Sequence, residues 1–376
     1  MGFGPTTSTR AQQTSLLYAT RLLEVCFKSF RVGLTLADVS VMIFFGFGFL
    51  MTFLRRYGFS ATGYCFLVSA LVVQMAIPMR GFWVQLVEEG HFETLRVGVE
   101  SLADGLFAAA AVMISFGAVL GKVTPLQMVV LGILECFFYY LNVWIGIDKL
   151  EAFDAGGGMF IHQFGAYFGM PLALLLTSES TKNHRDNCSC YSSDLMSYSG
   201  TIWLWILWPS FNAAIVPLGD PVLRAVVNTF LSLTASTVAV FMLSRFVSGM
   251  KFDIVHVQNA TLAGGVVMGV VAHLDINIGV ALALGFSAGA ISTLGFAYVT
   301  PWLNRAFKLQ DVCGVHNLHG MPALIGAFAG VFISLYAKDS DQYTTVEEEE
   351  LFPAGIDDQA GRQVLFLLSG APLVLT

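Results

Sequence analysis

Charge is what this chain has least of. Only 12% of its 376 residues are Asp, Glu, Lys or Arg, about half of the roughly 25% that a soluble domain carries. That shortage, with 56% apolar residues and a mean hydropathy of +0.70, excludes a water-soluble globular class and leaves a polytopic membrane protein. Positive charge is especially scarce: 19 Lys and Arg against 26 Asp and Glu give a net charge of −7. No basic surface for nucleic acid follows from that balance. There are six cysteines, without a disulfide framework. Cys26, Cys65, Cys136 and Cys313 lie in or beside apolar runs and read as small packing residues. Cys188 and Cys190 form a CxC in a polar loop, where a zinc clip lacks the other ligands it needs, so they read as ordinary thiols. The chain contains no GxxxxGK[ST] string, no HExxH and no Ser/His/Asp order. A fused ATPase, a metalloprotease and an esterase therefore lack support. No enzyme, cofactor or metal is expected.

What the chain has is apolar length. A span needs about 20 mostly apolar residues, and ten such runs are present: 37–54, 60–78, 97–120, 126–147, 159–176, 195–216, 222–246, 255–274, 276–302 and 315–337. The sequence divides into an amphipathic N-terminal segment (1–36), five runs (37–177), a polar loop (178–194), five more runs (195–337) and a final stretch (338–376). That last stretch holds the acidic Glu347–Glu350 string and an eleventh apolar segment, from Arg362, too short to span comfortably. Residues 16–30 suit a membrane surface better than its interior. No signal-peptide pattern precedes them.

Orientation follows from Lys and Arg in the short loops. The loop after the first run carries Arg55 and Arg56, and alternation groups it with Lys122, Lys182, Arg185, Arg245, Lys251, Arg305 and Lys308. This richer set is assigned to the cytoplasm. Five is odd, so the second set of runs must be inverted relative to the first. Inverted repeats place a transport path near the membrane midplane, at their interface.

Two histidines fit that expectation. His162 stands eight residues after Asp154, and His319 eight residues after Asp311, each in an apolar setting in its own half. Titratable groups at bilayer depth are costly and mark pathways or sites. Neutral imidazoles offer a donor and an acceptor to a small polar guest without a fixed charge that would trap a cation. Two histidines are a poor metal set, and eight helical residues span about 12 Å, which keeps the aspartates out of a common coordination shell. Near a helix start, Asp154 and Asp311 read as caps of backbone N–H groups. Asp194 and Asp253 read the same way. Asn212, Asn228 and Glu135 each require a partner helix or cavity.

The strings carrying these residues resemble the Rh glycoprotein branch of the ammonium transporter family. They are VMIFFGFGFLMTFLRRYGFS (41–60), ISFGAVLGK (114–122), DAGGGMFIHQFGAYFG (154–169), WPSFNAAI (208–215), DIVHVQNATLAGGV (253–266), ISTLGFAYVTPWL (291–303) and DVCGVHNLHGMP (311–322). The resemblance implies an all-α polytopic membrane protein of two inverted five-helix repeats around a central pore, forming a homotrimer or a hetero-oligomer with related Rh subunits in the plasma membrane. It implies that His162 and His319 line the pore, that Phe107 and Phe211 gate its outer mouth, and that Asp154 and Asp311 are pore-associated acids.

The implied activity is passive conduction of ammonia, with ammonium recruited and deprotonated at the pore mouth. Carbon dioxide is a second substrate considered for this branch, and the residues neither favour nor oppose it. The alternatives are a non-conducting Rh-type structural subunit and an electrogenic ammonium transporter. Rh glycoproteins usually begin with an additional span bearing a sugar on its outer loop and end with a further full helix. The residues before 37 and after 362 do not match that pattern, which suggests a divergent or shortened member.

Overall fold

The computed structural model describes residues 35–182, 184–340 and 342–375, with side chains to residue 368. Residues 1–34, with the amphipathic stretch and Cys26, lie outside the described residues. The described part is helical, with no strand. Its helices are α1 (Thr35–Phe53), α2 (Gly58–Glu89), α3 (Val99–Val119), α4 (Pro125–Lys149), α5 (Gly158–Leu176), α6 (Tyr191–Asn212), α7 (Asp220–Val247), α8 (Ile254–Met268), α9 (Ile278–Phe307), α10 (His316–Lys338), α11 (Thr345–Leu351) and α12 (Gln359–Leu375). Eight of these are long and apolar enough to cross a membrane.

The helix ends are written locally. Thr124 caps α4: its hydroxyl accepts from Gln127 N–H at 3.3 Å, Gln127 Oε1 accepts from Thr124 N–H at 2.8 Å, and Pro125 opens the helix. Asp253 caps α8 through Val255 N–H at 2.8 Å, and Asn277 caps α9 through Gly279 N–H at 2.7 Å. Asp194 differs from its expected role. Helix α6 starts earlier, at Tyr191, after Cys190, whose N–H donates to Ser193 Oγ at 2.9 Å. That leaves Asp194 inside the first turn, accepting from Ser189 Oγ at 3.1 Å.

Helices α1–α5 and α6–α10 run in opposite senses. The end of α1 meets the start of α6: Ser193 Oγ donates to Phe53 O at 2.7 Å, and Arg55 N–H donates to Cys188 O at 2.9 Å. Helix α3 lies at the centre, its Ala108–Ala111 run fully buried. On the second half, Gly285 and Gly289 of α9 face the Ser232 and Ser236 carbonyls of α7 so closely that a side chain on either glycine would collide with them. Asn212 Nδ2 donates to Gly265 O at 3.1 Å and Asn228 Nδ2 to Ala272 O at 2.9 Å, so each buried amide has its partner on a neighbouring segment. The outer faces carry large exposed apolar side chains, among them Phe59, Phe66, Leu175, Phe246 and Phe332. Apolar exposure on that scale fits hydrocarbon rather than water.

Two segments depart from the sequence reading. The eighth run is not one 20-residue helix: α8 breaks near Thr261, ends at Met268 and continues through turns to Leu274. Its end gives a carbonyl to the first half, with Gly156 N–H donating to Gly269 O at 2.6 Å. The last apolar segment begins at Gln359 and packs inward. Phe366 lies 4.7 Å from Phe160, ring centroid to ring centroid, and Gln363 Nε2 donates to Phe153 O at 2.9 Å.

Candidate functional site

Both halves build the same device in the same order. Three residues after each aspartate stands a left-handed glycine, Gly157 (φ 68°) and Gly314 (φ 70°). This conformation suits glycine because it has no Cβ to clash. A π-helical turn follows in each half, Gly158–Gln163 and His316–Gly320, and each holds a histidine of the sequence pair. Such turns add a residue to the helical repeat and recur at functional sites. The aspartates satisfy the exposed ends of these turns. Asp154 Oδ2 accepts from Met159 N–H at 2.8 Å and from Phe160 N–H at 2.7 Å. Asp311 uses both of its oxygens: Oδ1 accepts from Val315 N–H at 3.0 Å and Oδ2 from His316 N–H at 2.9 Å.

The two turns bring the histidines together. His162 Nδ1 and His319 Nδ1 are 3.1 Å apart, both residues are buried, and the rings lie 11° from parallel. Trp208 stacks on His162 at 5.5 Å, and Phe47 lies beside His319 at 6.4 Å. Phe211 is 6.0 Å from His162, and Phe107 meets Phe211 edge to face at 5.0 Å and 75°. The six residues that the resemblance assigns to a site are linked by contacts: Phe107 meets Phe211, Phe211 meets His162, His162 meets His319, and Asp154 and Asp311 hold the turns that carry the two histidines.

Three cavities lie near these residues. A vestibule of about 510 Å³ opens beside Phe107, Asp154 and Phe160, and Glu100, Asp104, Glu350 and Arg80 line its walls. A gap of about 20 Å³ lies next to His319, between Phe47, Leu50, Met113, Asn259 and Leu318. A second vestibule of about 350 Å³ begins at Leu54, Leu120 and Val312 and carries Arg55, Arg56 and Lys122. The two mouths have opposite electrostatic character. At the second, Lys122 Nζ donates to Thr177 Oγ1 at 2.9 Å and to the Gln310 carbonyl. Burial lowers its pKa to about 8, against the opposing pull of Asp311.

Sequence reasoning missed Trp208, Phe47, Asn259 and the acidic wall. Trp208 and Phe47 sit in apolar runs that look the same whether they face lipid or a path. Glu350 reaches the vestibule from α11, which folds back over the mouth: Leu351 and Phe352 are buried, and Arg224 Nη1 pairs with Glu347 Oε1 at 2.9 Å. Among the described residues, no group of three or more His, Cys, Asp or Glu is placed to hold a metal ion.

Comparison with known proteins gives a consistent result. The family model for the Ammonium Transporter Family matches residues 8–374. Rhesus-like glycoprotein A of Dictyostelium discoideum is 50% identical over 335 residues, which are 87% of this chain and 63% of that protein. The mouse protein named ammonium transporter Rh type B is 52% identical over 302 residues, 80% of this chain and 66% of that one. The chain thus spans somewhat under two thirds of the length of the Dictyostelium relative. Among solved structures, the Nitrosomonas europaea Rh50 protein aligns at a TM-score of 0.75 and 34% identity, covering 92% of this chain and 88% of that one. Mep2 of Candida albicans shares the fold at 18% identity and a TM-score of 0.72. This chain, a multi-pass membrane protein, belongs to the Ammonium Transporter Family.

Proposed function

We propose that the chain conducts ammonia passively between the two vestibules, past His162 and His319. The observation that carries the reading is the buried imidazole pair at 3.1 Å, with separate cavities beside Asp154 and Phe107, beside His319 and beside Lys122. A space of about 20 Å³ beside His319 admits one molecule of water size, which needs at least roughly 10–15 Å³. Ammonia is of that size. Moving an unpaired ion into such surroundings costs on the order of 20 kcal/mol by the Born estimate, less after relaxation. A neutral base avoids most of that cost.

The acidic vestibule recruits ammonium, and Phe107 on its wall offers a ring to the cation, worth about 0.5–2 kcal/mol. The proton is left in the vestibule before the base passes the phenyl rings. The basic vestibule at the other end disfavours return of the ion. Names of relatives support the substrate: the mouse relative is called an ammonium transporter. The loops richer in Lys and Arg then face the cytoplasm, the assembly is a homotrimer, and the location is the plasma membrane. These last points rest on the family resemblance.

The test is ammonia entry into proteoliposomes, followed by internal alkalinisation after ammonium is added outside. Conduction predicts a rate above that of protein-free lipid. A folded protein giving the bare-lipid rate favours a non-conducting subunit instead.

A further inference from the structure

The vestibule at the Lys/Arg-rich face has features that passage of a neutral base does not use. Four loops that are distant in sequence converge on it, carrying Arg55, Lys122, Asp186 and Gln310. Its walls carry Arg55, Arg56 and Lys122 against Asp186, with Asp311 close to Lys122, so one positive charge is in excess and the arginines carry it. Asp186 holds Arg55 only loosely, with Nε to Oδ1 at 4.0 Å, and is shared with Arg185 at 3.8 Å. Arg56 forms no ion pair among the described residues and stands at φ 63°, a left-handed conformation that disfavours any residue with a Cβ. His184 and the hydroxyls of Ser180 and Thr181 add further polar groups to the wall.

We propose that this vestibule binds a phosphate-bearing anion and that the bound anion obstructs the path. Guanidinium groups present forked donors that match phosphate oxygens, and lysine adds a point charge. At about 350 Å³ the cavity lies within the size range of small-molecule sites. The anion displaces Asp186 from Arg55, exchanging a long contact for charge-assisted hydrogen bonds. The floor of the cavity is Leu54, Leu120 and Val312, next in sequence to Phe53, Val119 and Cys313. Phe53 and Cys313 line the gap beside His319. An occupant therefore sits across the exit. The obstruction rests on the conduction reading above, whereas the binding does not.

The experiment is titration of the purified full chain with inorganic phosphate and with ATP in detergent, and with nanodiscs containing phosphatidylinositol bisphosphate. Saturable binding of at least one of these, weakened about tenfold by Arg56→Gln, supports the site. Binding in detergent marks a soluble ligand, and binding confined to nanodiscs marks a lipid headgroup. Arg56 is exposed, so the variant keeps its fold. No saturable binding of any of the three, or equal affinity in Arg56→Gln, overturns the site. The same anion enclosed at the Lys/Arg-rich face slows ammonia entry in the wild type and not in Arg56→Gln. Unchanged flux at saturating anion overturns the obstruction. A protein that binds the anion but conducts nothing overturns the conduction reading and leaves the site standing.

Discussion

His162 and His319 share a single line of approach, Nδ1 to Nδ1 at 3.1 Å, with rings 11° from parallel. One proton fits on that line, so one ring donates and the other accepts. Neutral imidazole carries its hydrogen on one nitrogen only. The donating ring therefore has a bare Nε2, and the accepting ring has an Nε2–H. The pair offers a guest one acceptor and one donor, and exchanging tautomers reverses the order.

Removing one ring strands the other. His162→Ala leaves His319 Nδ1 buried without its partner, a penalty of about 1–3 kcal/mol. His319→Ala does the same to His162. The double variant removes both stranded groups, so its unfolding cost is smaller than the two single costs added together, by about 1 kcal/mol. Denaturant unfolding of the four proteins in micelles reads this directly. Additive costs contradict a shared bond. Ammonia flux per folded protein falls in each single variant.

The two aspartates are not equivalent. Asp154 receives both backbone bonds on Oδ2, an arrangement that asparagine reproduces with its one carbonyl oxygen. Asp311 uses both oxygens, so asparagine there turns an amide N–H toward a backbone N–H. Lys122 also loses a nearby countercharge. Asp311→Asn is expected to cost about 1–3 kcal/mol more than Asp154→Asn. Equal losses of thermal stability contradict this assignment of the bonds.

On the proposed path, Phe107 is held in place by packing. It is 4% exposed and meets Phe211 at 5.0 Å. Phe107→Ala costs about 3–5 kcal/mol of stability and widens the mouth. Entry of methylammonium rises relative to ammonium when the two are compared in the same vesicles. An unchanged ratio places the constriction elsewhere.

Helix α11 closes over the acidic vestibule through Glu347. Its carboxyl lies below the ordinary value of 4.5, first because it accepts from the Thr344 backbone N–H and further because of Arg224. A depressed carboxylate stabilises the folded form above its ordinary value, and that contribution disappears as pH falls through the lower, folded value. Protection of residues 343–352 against hydrogen exchange, taken relative to the intrinsic rate at each pH, therefore holds at neutral pH and is lost as pH falls from about 4.5 through the lower, folded value. Glu347→Gln gives fast exchange at neutral pH as well.

Much of this was legible because membrane chemistry is restrictive. Apolar runs separated by charged loops mark helices, and a histidine in hydrocarbon needs a reason. The duplication was visible because Asp154 and Asp311 precede their histidines by the same distance. What could not be read depends on direction. Phe47 and Phe59 are both phenylalanines in apolar runs, yet one faces His319 and the other faces outward, 96% exposed. The break in α8 was hidden because Thr261 and Leu262, where it falls, carry no breaker signal, and Gly264, Gly265 and Gly269 all come after it. The inward packing of α12 was missed for a related reason: Gln359 and Gln363 read as ordinary polar residues, whereas each donates to a backbone carbonyl of the loop before α5, at Glu151 and at Phe153.

The most direct test of neutral passage records membrane current and internal pH together in proteoliposomes given an ammonium gradient. The account predicts alkalinisation faster than through bare lipid, with no current beyond that of the protein-free membrane. A current carrying one charge per nitrogen delivered would contradict it.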